Sequence, residues 1–266
     1  MRSYTKYIIS IFLTLLGACK FPAQEGIPSN IKLLFSYAGA VEPKVSSVLP
    51  KDKSTGSARN TQIVIVMNTE MDVSSLSSAL TVKSDTETVS GDISVDGKMI
   101  SFVPKAYLGS TSKHTITIGT GAKSLKNQSP SSAISLTFST GSEVDLTPPS
   151  ISNTSPADSS TGFPINAAIL ATYSETINPA SFKADMVTVS NGSIAGTAEL
   201  SESTISFKPA ANLPANTVLS VRIAAGLKDM AGNKISSPYT WIFTTGSKEA
   251  KVCVLGTDKY GDCLLF

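Results

Sequence analysis

One histidine and three cysteines have the widest chemical repertoire in this 266-residue sequence. Hydrolysis by a Ser–His–Asp triad would have to use His114, yet an internal repeat places Leu219 at the equivalent position. We therefore expect His114 to be a surface or edge-strand side chain. The sequence contains no Gly-x-Ser-x-Gly motif, phosphate-binding loop or dinucleotide-binding fingerprint. These observations predict a protein that is not an enzyme and uses no cofactor.

Oxygen ligands for a metal ion occur at 229–233, where Asp and Asn flank a glycine turn. Calcium takes about six to eight oxygen ligands, and this segment supplies only two side chains. Zinc would need more nitrogen and sulfur ligands than one histidine and two distant cysteines provide. Glu175 and Asp229 lie in repeated turn motifs, where hydrogen bonds to the turn account for such side chains. We expect no catalytic carboxylate pair and no metal site, and weak calcium binding at 229–233 stays open.

Cys253 and Cys263 flank nine residues with apolar ends and a middle rich in turn-forming residues. In an exported protein such a pair is expected to form a disulfide, here closing a C-terminal hairpin at 248–266. A loop this short contributes about 2 to 3 kcal/mol on the loop-entropy account. Two reduced thiols are the alternative. The hairpin either caps the edge of the neighbouring domain or presents Tyr260 to a partner.

The N-terminus has the features of an export signal. Basic residues precede an apolar run at 7–16, which is shorter than the roughly 20 residues of a membrane-spanning helix and ends in small residues. The residues at 16–19, Leu-Gly-Ala-Cys, resemble a bacterial lipobox. That resemblance implies a signal peptide at 1–18, cleavage between Ala18 and Cys19, and acylation of Cys19 with palmitate-like chains that anchor the protein in a membrane. An ordinary signal peptide, leaving Cys19 free, is the alternative.

Charge and composition argue against some classes of partner. Charged residues make up 16% of the chain, and the formal net charge is +2. Removal of residues 1–18, with two basic and no acidic residues, leaves 20 of each sign and a net charge of zero. Nucleic-acid binding needs an excess of Lys and Arg, so nucleic acid is not an expected partner. Lys20 replaces the Asp that retains lipoproteins in the inner membrane of enteric bacteria, which favours the outer membrane.

The body of the chain contains one unit twice. Residues 19–43, with scattered Pro and Gly, predict a lipidated tether in which 31–35 is a candidate docking strand. Beyond the tether, segments recur at a spacing of 105 to 107 residues. The matched segments are 48–56 with 154–162, 62–67 with 168–173, 100–104 with 205–209, and 137–142 with 242–247. We predict two tandem domains, at 44–142 and 147–247.

Each unit consists of short segments that alternate polar and apolar residues and are separated by turn residues. The segment 115–118 shows this alternation, which is typical of a strand with one buried face. Single helical turns are expected only at 72–80 and 179–185, with Asp72 or Asn178 as N-cap. About seven strands per domain predict an all-β fold of two antiparallel sandwiches, with a barrel as the weaker alternative.

Five segments of the second unit follow a pattern known from other proteins. They lie at 156–162, 173–179, 207–209, 226–233 and 241–246. Together they resemble the bacterial Ig-like domains of the S-layer protein (SbsA-like) type, which occur in tandem on surface and secreted proteins. The first unit departs at 124–128, where Ser-Leu-Lys-Asn-Gln replaces Asp-x-x-Gly-Asn. The resemblance implies an Ig-like fold and a scaffold or adhesive module, and such a fold does not by itself select a ligand.

These features predict a non-enzymatic cell-envelope lipoprotein held in the membrane by its lipid anchor. Its Ig-like modules would act in binding or adhesion, or as a structural spacer, with a protein, extracellular matrix or glycan as ligand. The expected location is the outer membrane, with exposure at the cell surface as a further option. The alternatives are an accessory subunit of an envelope enzyme or transporter complex, and an undetected hydrolase.

Overall fold

The computed structural model describes residues 41–85 and 87–250, which form two β-domains in tandem. The first domain contains one helix, α1 (Val73–Ala79), and the strands β1 (Val45–Leu49), β2 (Ser54–Ser57), β3 (Ile63–Met67), β4 (Leu80–Ser84), β5 (Gly91–Asp96), β6 (Met99–Pro104), β7 (Lys113–Ile118) and β8 (Ile134–Thr140). The second contains the strands β9 (Ile151–Ser155), β10 (Ile169–Tyr173), β11 (Val187–Val189), β12 (Gly196–Ser201), β13 (Thr204–Pro209), β14 (Val218–Ile223) and β15 (Tyr239–Thr244).

Two sheets pack against each other in each domain. In the first domain the strand orders are β1-β3-β6-β5 and β2-β8-β7-β4, and the pairs are antiparallel except β2 with β8. The second domain has β12-β13-β10-β9 and β11-β14-β15. A parallel bridge between Phe163 and Thr245 replaces the pairing of β2 with β8. The prediction of two tandem Ig-like sandwiches is confirmed, and the barrel alternative is wrong.

The core of each domain lies between its two sheets, because the inward-facing residues of both sheets are apolar. On β3, Ile63 and Ile65 are fully buried. On β7, Ile116 and Ile118 face the core, while Thr117 between them is half-buried. The alternation of polar and apolar residues therefore gives the buried face that the sequence predicts.

His114 corrects one expectation from the sequence. It is not a surface or edge-strand residue: its exposed fraction is 0%, and β7 lies inside its sheet between β4 and β8. Its Nδ1 lies 3.0 Å from the backbone oxygen of Ser112, and its ring stacks on Phe138 at a centroid distance of 5.1 Å. His114 lies opposite Phe138 in the strand register, as Leu219 lies opposite Phe243, so the predicted equivalence of His114 and Leu219 is confirmed.

Both predicted N-caps are present. The side chain of Asp72 accepts a hydrogen bond from the N–H of Ser74 at 3.0 Å and begins α1. The side chain of Asn178 accepts one from the N–H of Ala180 at 3.0 Å. The helical segment expected at 179–185 consists instead of two 3-10 turns, Pro179–Ser181 and Ala184–Met186. A proline at the first position suits such a turn, because its missing N–H would have no helical partner.

The turn at 124–128 keeps its geometry although its sequence departs from that of the second domain. The N–H of Gln128 donates to Ser124 Oγ at 3.1 Å. At the equivalent place in the second domain, the N–H of Asn233 donates to Asp229 Oδ1 at 2.8 Å. A serine hydroxyl therefore replaces an aspartate carboxylate as the acceptor that closes the turn.

Several predictions fall outside the described residues. They concern the signal peptide at 1–18, cleavage between Ala18 and Cys19, lipidation of Cys19, the docking strand at 31–35 and the disulfide between Cys253 and Cys263. Across 41–85 and 87–250, no helix has the length and apolar character that a membrane crossing requires.

Candidate functional site

The junction between the two domains brings together polar side chains from both domains and from the linker. The chain leaves β8 and enters β9 through a linker that contains Asp145. Asn60, ahead of β3, holds this linker at two points. Its Nδ2 donates to the backbone oxygen of Asp145 at 2.6 Å, and the N–H of Asp145 donates to Asn60 Oδ1 at 2.9 Å. This pair of bonds fixes the direction in which the chain leaves the first domain.

Gln62 bonds the second domain directly, through both its backbone and its side chain. Its N–H donates to the backbone oxygen of Met230 at 2.6 Å, and its Oε1 accepts a bond from Asn178 Nδ2 at 2.8 Å. Gly232 lies next to it with a φ of +94°, and a Cβ at that position would approach Gln62 Nε2 to 2.9 Å. The positive φ favours glycine here, and a Cβ would also have to displace the end of the Gln62 side chain, whose Oε1 is bonded by Asn178.

Two ion pairs also cross the junction. Lys51 Nζ lies 2.6 Å from Glu202 Oε1, and Lys183 Nζ lies 2.5 Å from Asp96 Oδ2. All four side chains are more than half exposed. Because exposed ion pairs are screened by water and salt, these two contribute little to stability. The neutral amide contacts of Gln62 are the better determinants of domain orientation.

Three carboxylates meet at this junction. Asp145 from the linker, Glu175 from the turn after β10 and Asp229 from the turn after β14 each have an oxygen within 4.8 Å of the others. Asp229 is fully buried and accepts bonds from the N–H and Nδ2 of Asn233 at 2.8 and 2.7 Å. The turn role expected for Asp229 is confirmed. Glu175, by contrast, faces the other two carboxylates, so turn hydrogen bonds alone do not explain it.

The environment of Glu175 favours its protonated form. Burial raises the pKa of this carboxyl to about 7, together with the negative charges of Asp145 and Asp229 and a hydrogen bond with Asp145. A neutral carboxyl group can donate a hydrogen bond to a neighbouring carboxylate, whereas two carboxylates at the same distance repel each other. Near neutral pH the cluster can therefore gain or lose one proton.

The chemistry available to the cluster is limited. Within the described residues, these three carboxylates lie close enough together to hold a cation. Both Asp229 oxygens already accept bonds from Asn233. Calcium takes about six to eight oxygen ligands, and the cluster has fewer free oxygens than that. The cluster adjoins a cleft of about 410 Å³ between the domains, lined by Ser54 and Glu175 among others. His114 lines a different cleft, so it cannot activate Ser54 as a nucleophile.

The sequence did not reveal this site. It marked Glu175 and Asp229 as turn residues, but Asp145 and Gln62 carried no signal of a shared location. One signal was present in the repeat, because Asn60 recurs at the same offset as the surrounding segments. Gln62 has no such counterpart, since Ala168 occupies its place in the second domain.

The two sandwiches and their bonded junction define a protein built from tandem Ig-like domains. Residues 40–140 and 145–245 each match the bacterial Ig-like domain family. The chain therefore belongs to that family, whose domains are typical of bacterial cell-surface and envelope proteins. The family matches identify no catalytic domain. No curated protein matches the sequence.

Several solved structures share local similarity with this chain. The N-terminal part of the bacterial S-layer protein SbsC is 11% identical, with a TM-score of 0.32, over 80% of this chain and 46% of that one. A chimeric titin Z1Z2 is 9% identical, with a TM-score of 0.30, over 76% and 95%. The L,D-transpeptidase 3 of Mycobacterium tuberculosis is 16% identical, with a TM-score of 0.26, over 51% and 48%. This chain thus spans about half the length of the SbsC fragment.

Proposed function

We propose that this protein is a non-enzymatic lipoprotein of the bacterial cell envelope, in which two Ig-like domains form a spacer scaffold that carries a binding or adhesive surface. Membership of the bacterial Ig-like family supports an envelope role. The signal at 1–18 and the lipobox-like residues that end at Cys19 support export and a lipid anchor. A protein, extracellular matrix or glycan is the class of ligand that fits such modules.

The observation that carries the spacer role is the bonded junction. A flexible linker lets two domains collapse toward each other, whereas direct contacts between domains hold their separation. Gln62 joins the first domain to Met230 and Asn178 of the second, and Asn60 holds Asp145 of the linker. A scaffold built in this way keeps its far end away from the membrane at which it is anchored.

The anchor is tested by metabolic labelling with a palmitate analogue in cells that express the full chain. We expect label on the parent protein and none on C19A, because the thiol of Cys19 is the acylation site. C253A serves as the control for loss of an unrelated thiol and should remain labelled. Equal labelling of the parent and C19A would contradict the lipid anchor.

The scaffold role is tested by protease treatment of intact cells, followed by recovery of bound partners. We expect cleavage of the protein on whole cells and binding of residues 41–266 to a protein, matrix or glycan component of the surroundings. Protection from protease in intact cells, together with recovery in an envelope enzyme or transporter complex, would contradict an adhesive role and favour an accessory subunit. Turnover of substrate by residues 41–266 would contradict the non-enzymatic role.

A further inference from the structure

The second domain holds the chain at its exit by the same device as the first. Asn166, the counterpart of Asn60, donates from Nδ2 to the backbone oxygen of Ala250 at 3.2 Å. In return the N–H of Ala250 donates to Asn166 Oδ1 at 2.7 Å. These two bonds reproduce the pair that joins Asn60 and Asp145. We call each such pair an asparagine clamp.

The backbone around the two clamps is also equivalent. The N–H of Arg59 donates to the oxygen of Glu143 at 2.9 Å, and the N–H of Ile165 donates to that of Lys248 at 3.2 Å. Asn212 adds a further bond in the second domain, from its Nδ2 to Glu249 Oε1 at 2.6 Å. The second domain therefore directs its outgoing chain as the first domain directs the interdomain linker.

In the first domain, the chain beyond the clamp leads to a body that covers the clamp end of the sandwich. Asn178, 33 residues after Asp145 along the chain, bonds Gln62, which lies two residues after Asn60. The covered end carries polar residues at Ser57 and Arg59. Arg59 Nε donates to the backbone oxygen of Leu108 in its own domain, and Ser57 lines the cleft that faces the second domain.

The clamp end of the second domain is more apolar. Phe163 and Ile165 occupy the places of Ser57 and Arg59, and both are half-buried and pack against the edge of the core. Apolar surface at such a place is stabilised when another segment covers it, at about 25 cal/mol per Å². The chain that follows Ala250 is rich in residues able to do so: Val252, Val254, Leu255, Tyr260, Leu264, Leu265 and Phe266.

We infer that residues 251–266 dock on the clamp end of the second domain, over Phe163 and Ile165, as an intramolecular cap that starts at the Asn166 clamp. The segment takes the place that the second domain occupies on the first. Because the segment is covalently linked to the second domain, its effective concentration at this surface is high. The inference concerns the fold of this chain and stands independently of the proposed envelope function.

Hydrogen–deuterium exchange of residues 41–266 tests the cap, since both folded domains lie within 41–250. The comparison is with a chain that stops at Ala250, both under non-reducing conditions. We expect peptides covering 163–167 to exchange several-fold faster in the shortened chain, while peptides of the first domain stay unchanged. Equal exchange at 163–167 in both chains would overturn the inference.

Point variants of the full-length unit separate the cap from a general loss of stability. I165R introduces the residue that the first domain has at the equivalent position, Arg59. We expect I165R and N166A to speed exchange in peptides of 251–266, whereas N60A speeds it only at the interdomain linker. Unchanged exchange of 251–266 in both I165R and N166A would contradict docking at this surface.

A second copy of the chain is the other possible receptor for the segment. Sedimentation of residues 41–266 over a range of concentrations distinguishes the two. We expect a monomer with or without the segment. A dimer that dissociates when residues 251–266 are removed would overturn the intramolecular cap and assign the segment to an interface between copies.

Discussion

His114 is the residue whose surroundings differ most between the two domains. It lies in a buried position that Leu219 fills in the second domain, and among the described residues its Nε2 has no hydrogen-bond partner. A buried polar atom without a partner costs about 1 to 3 kcal/mol. Stacking of the His114 ring on Phe138 offsets only part of that cost, since aromatic pairs contribute about 0.5 to 1.5 kcal/mol.

We predict that H114L stabilises the protein by about 1 kcal/mol at neutral pH, because it removes the unpartnered nitrogen and installs the side chain that the second domain uses. Denaturant unfolding of residues 41–266 measures the change. L219H is the matched variant and should destabilise the second domain. A loss of stability in H114L would show that the histidine makes a favourable contact that a leucine lacks.

The same substitution should alter the pH dependence of stability. Burial lowers the pKa of His114 from 6.5, against opposing effects of the Ser112 oxygen and the Asp85 charge. Below pH 6.5 the unfolded chain therefore binds a proton that the folded chain does not bind. As the pH decreases from 6.5, the free energy of unfolding falls, until the pH reaches the pKa of His114 in the folded protein. We predict that this fall is absent in H114L. Parallel pH profiles of the parent and H114L between pH 5 and pH 7 would contradict it.

Glu175 should produce the opposite trend. Its pKa is raised from 4.5 to about 7, so between these values the folded protein holds a proton that the unfolded chain has lost. The Glu175 carboxyl makes its full contribution to the free energy of unfolding below pH 4.5, and this contribution is lost as the pH rises through about 7. We predict that E175Q, which stays neutral, gains stability relative to the parent above pH 7. E199Q, at an exposed position on β12, is the control and should follow the parent.

At the scale of elements, turns decide how the domains meet, while strands decide how each domain folds. Met230 and Gly232 lie in the turn after β14, and this turn supplies the backbone oxygen that bonds the N–H of Gln62. The equivalent turn of the first domain, at 124–128, is closed by the same kind of bond, from the N–H of Gln128 to Ser124 Oγ. The repeated turn thus serves as an interdomain contact in only one of its two copies.

We predict that G232A destabilises the protein more than G162A does. Both glycines have positive φ, +94° and +80°, and alanine there costs about 1 kcal/mol or more. A Cβ at Gly162 meets no atom within 4 Å, whereas one at Gly232 meets Gln62. Thermal unfolding of both variants isolates the contact with Gln62 from the backbone cost. Equal losses in the two variants would show that the close approach contributes nothing.

For the whole molecule, the junction determines whether two domains move as one body. Gln62 and Asn178 contact each other across 116 positions of sequence, and both are held by further backbone bonds. The exposed ion pairs at Lys51 and Lys183 add little energy but favour the same arrangement. The rigidity needed for a spacer therefore depends on a small number of neutral hydrogen bonds.

We predict that the double variant Q62A/N178A uncouples the domains without unfolding either of them. Nitrogen-15 relaxation of residues 41–266 should give one rotational correlation time for both domains of the parent. In the double variant each domain should have its own, shorter time. T197A, at an exposed position on β12, is the control and should behave as the parent. Independent tumbling in the parent would contradict a rigid junction.

The sequence by itself determined the domain class and several of the strands. Alternation at 115–118 and the repeat at a spacing of 105 to 107 residues are local or pairwise patterns, and Asp72 caps a helix with its own neighbours. Such features depend on residues close in sequence, so their pattern is visible in the chain itself.

Tertiary structure alone decided the carboxylate cluster at the junction. The burial of His114 needed both levels: the alternation along β7 puts His114 on the same face as Ile116 and Ile118, and the packing of β7 between β4 and β8 completes its burial. Glu175 meets Asp145 because the linker passes the turn after β10 once the second domain has folded. Contacts of this kind arise when separate elements pack together, and no local periodicity encodes them.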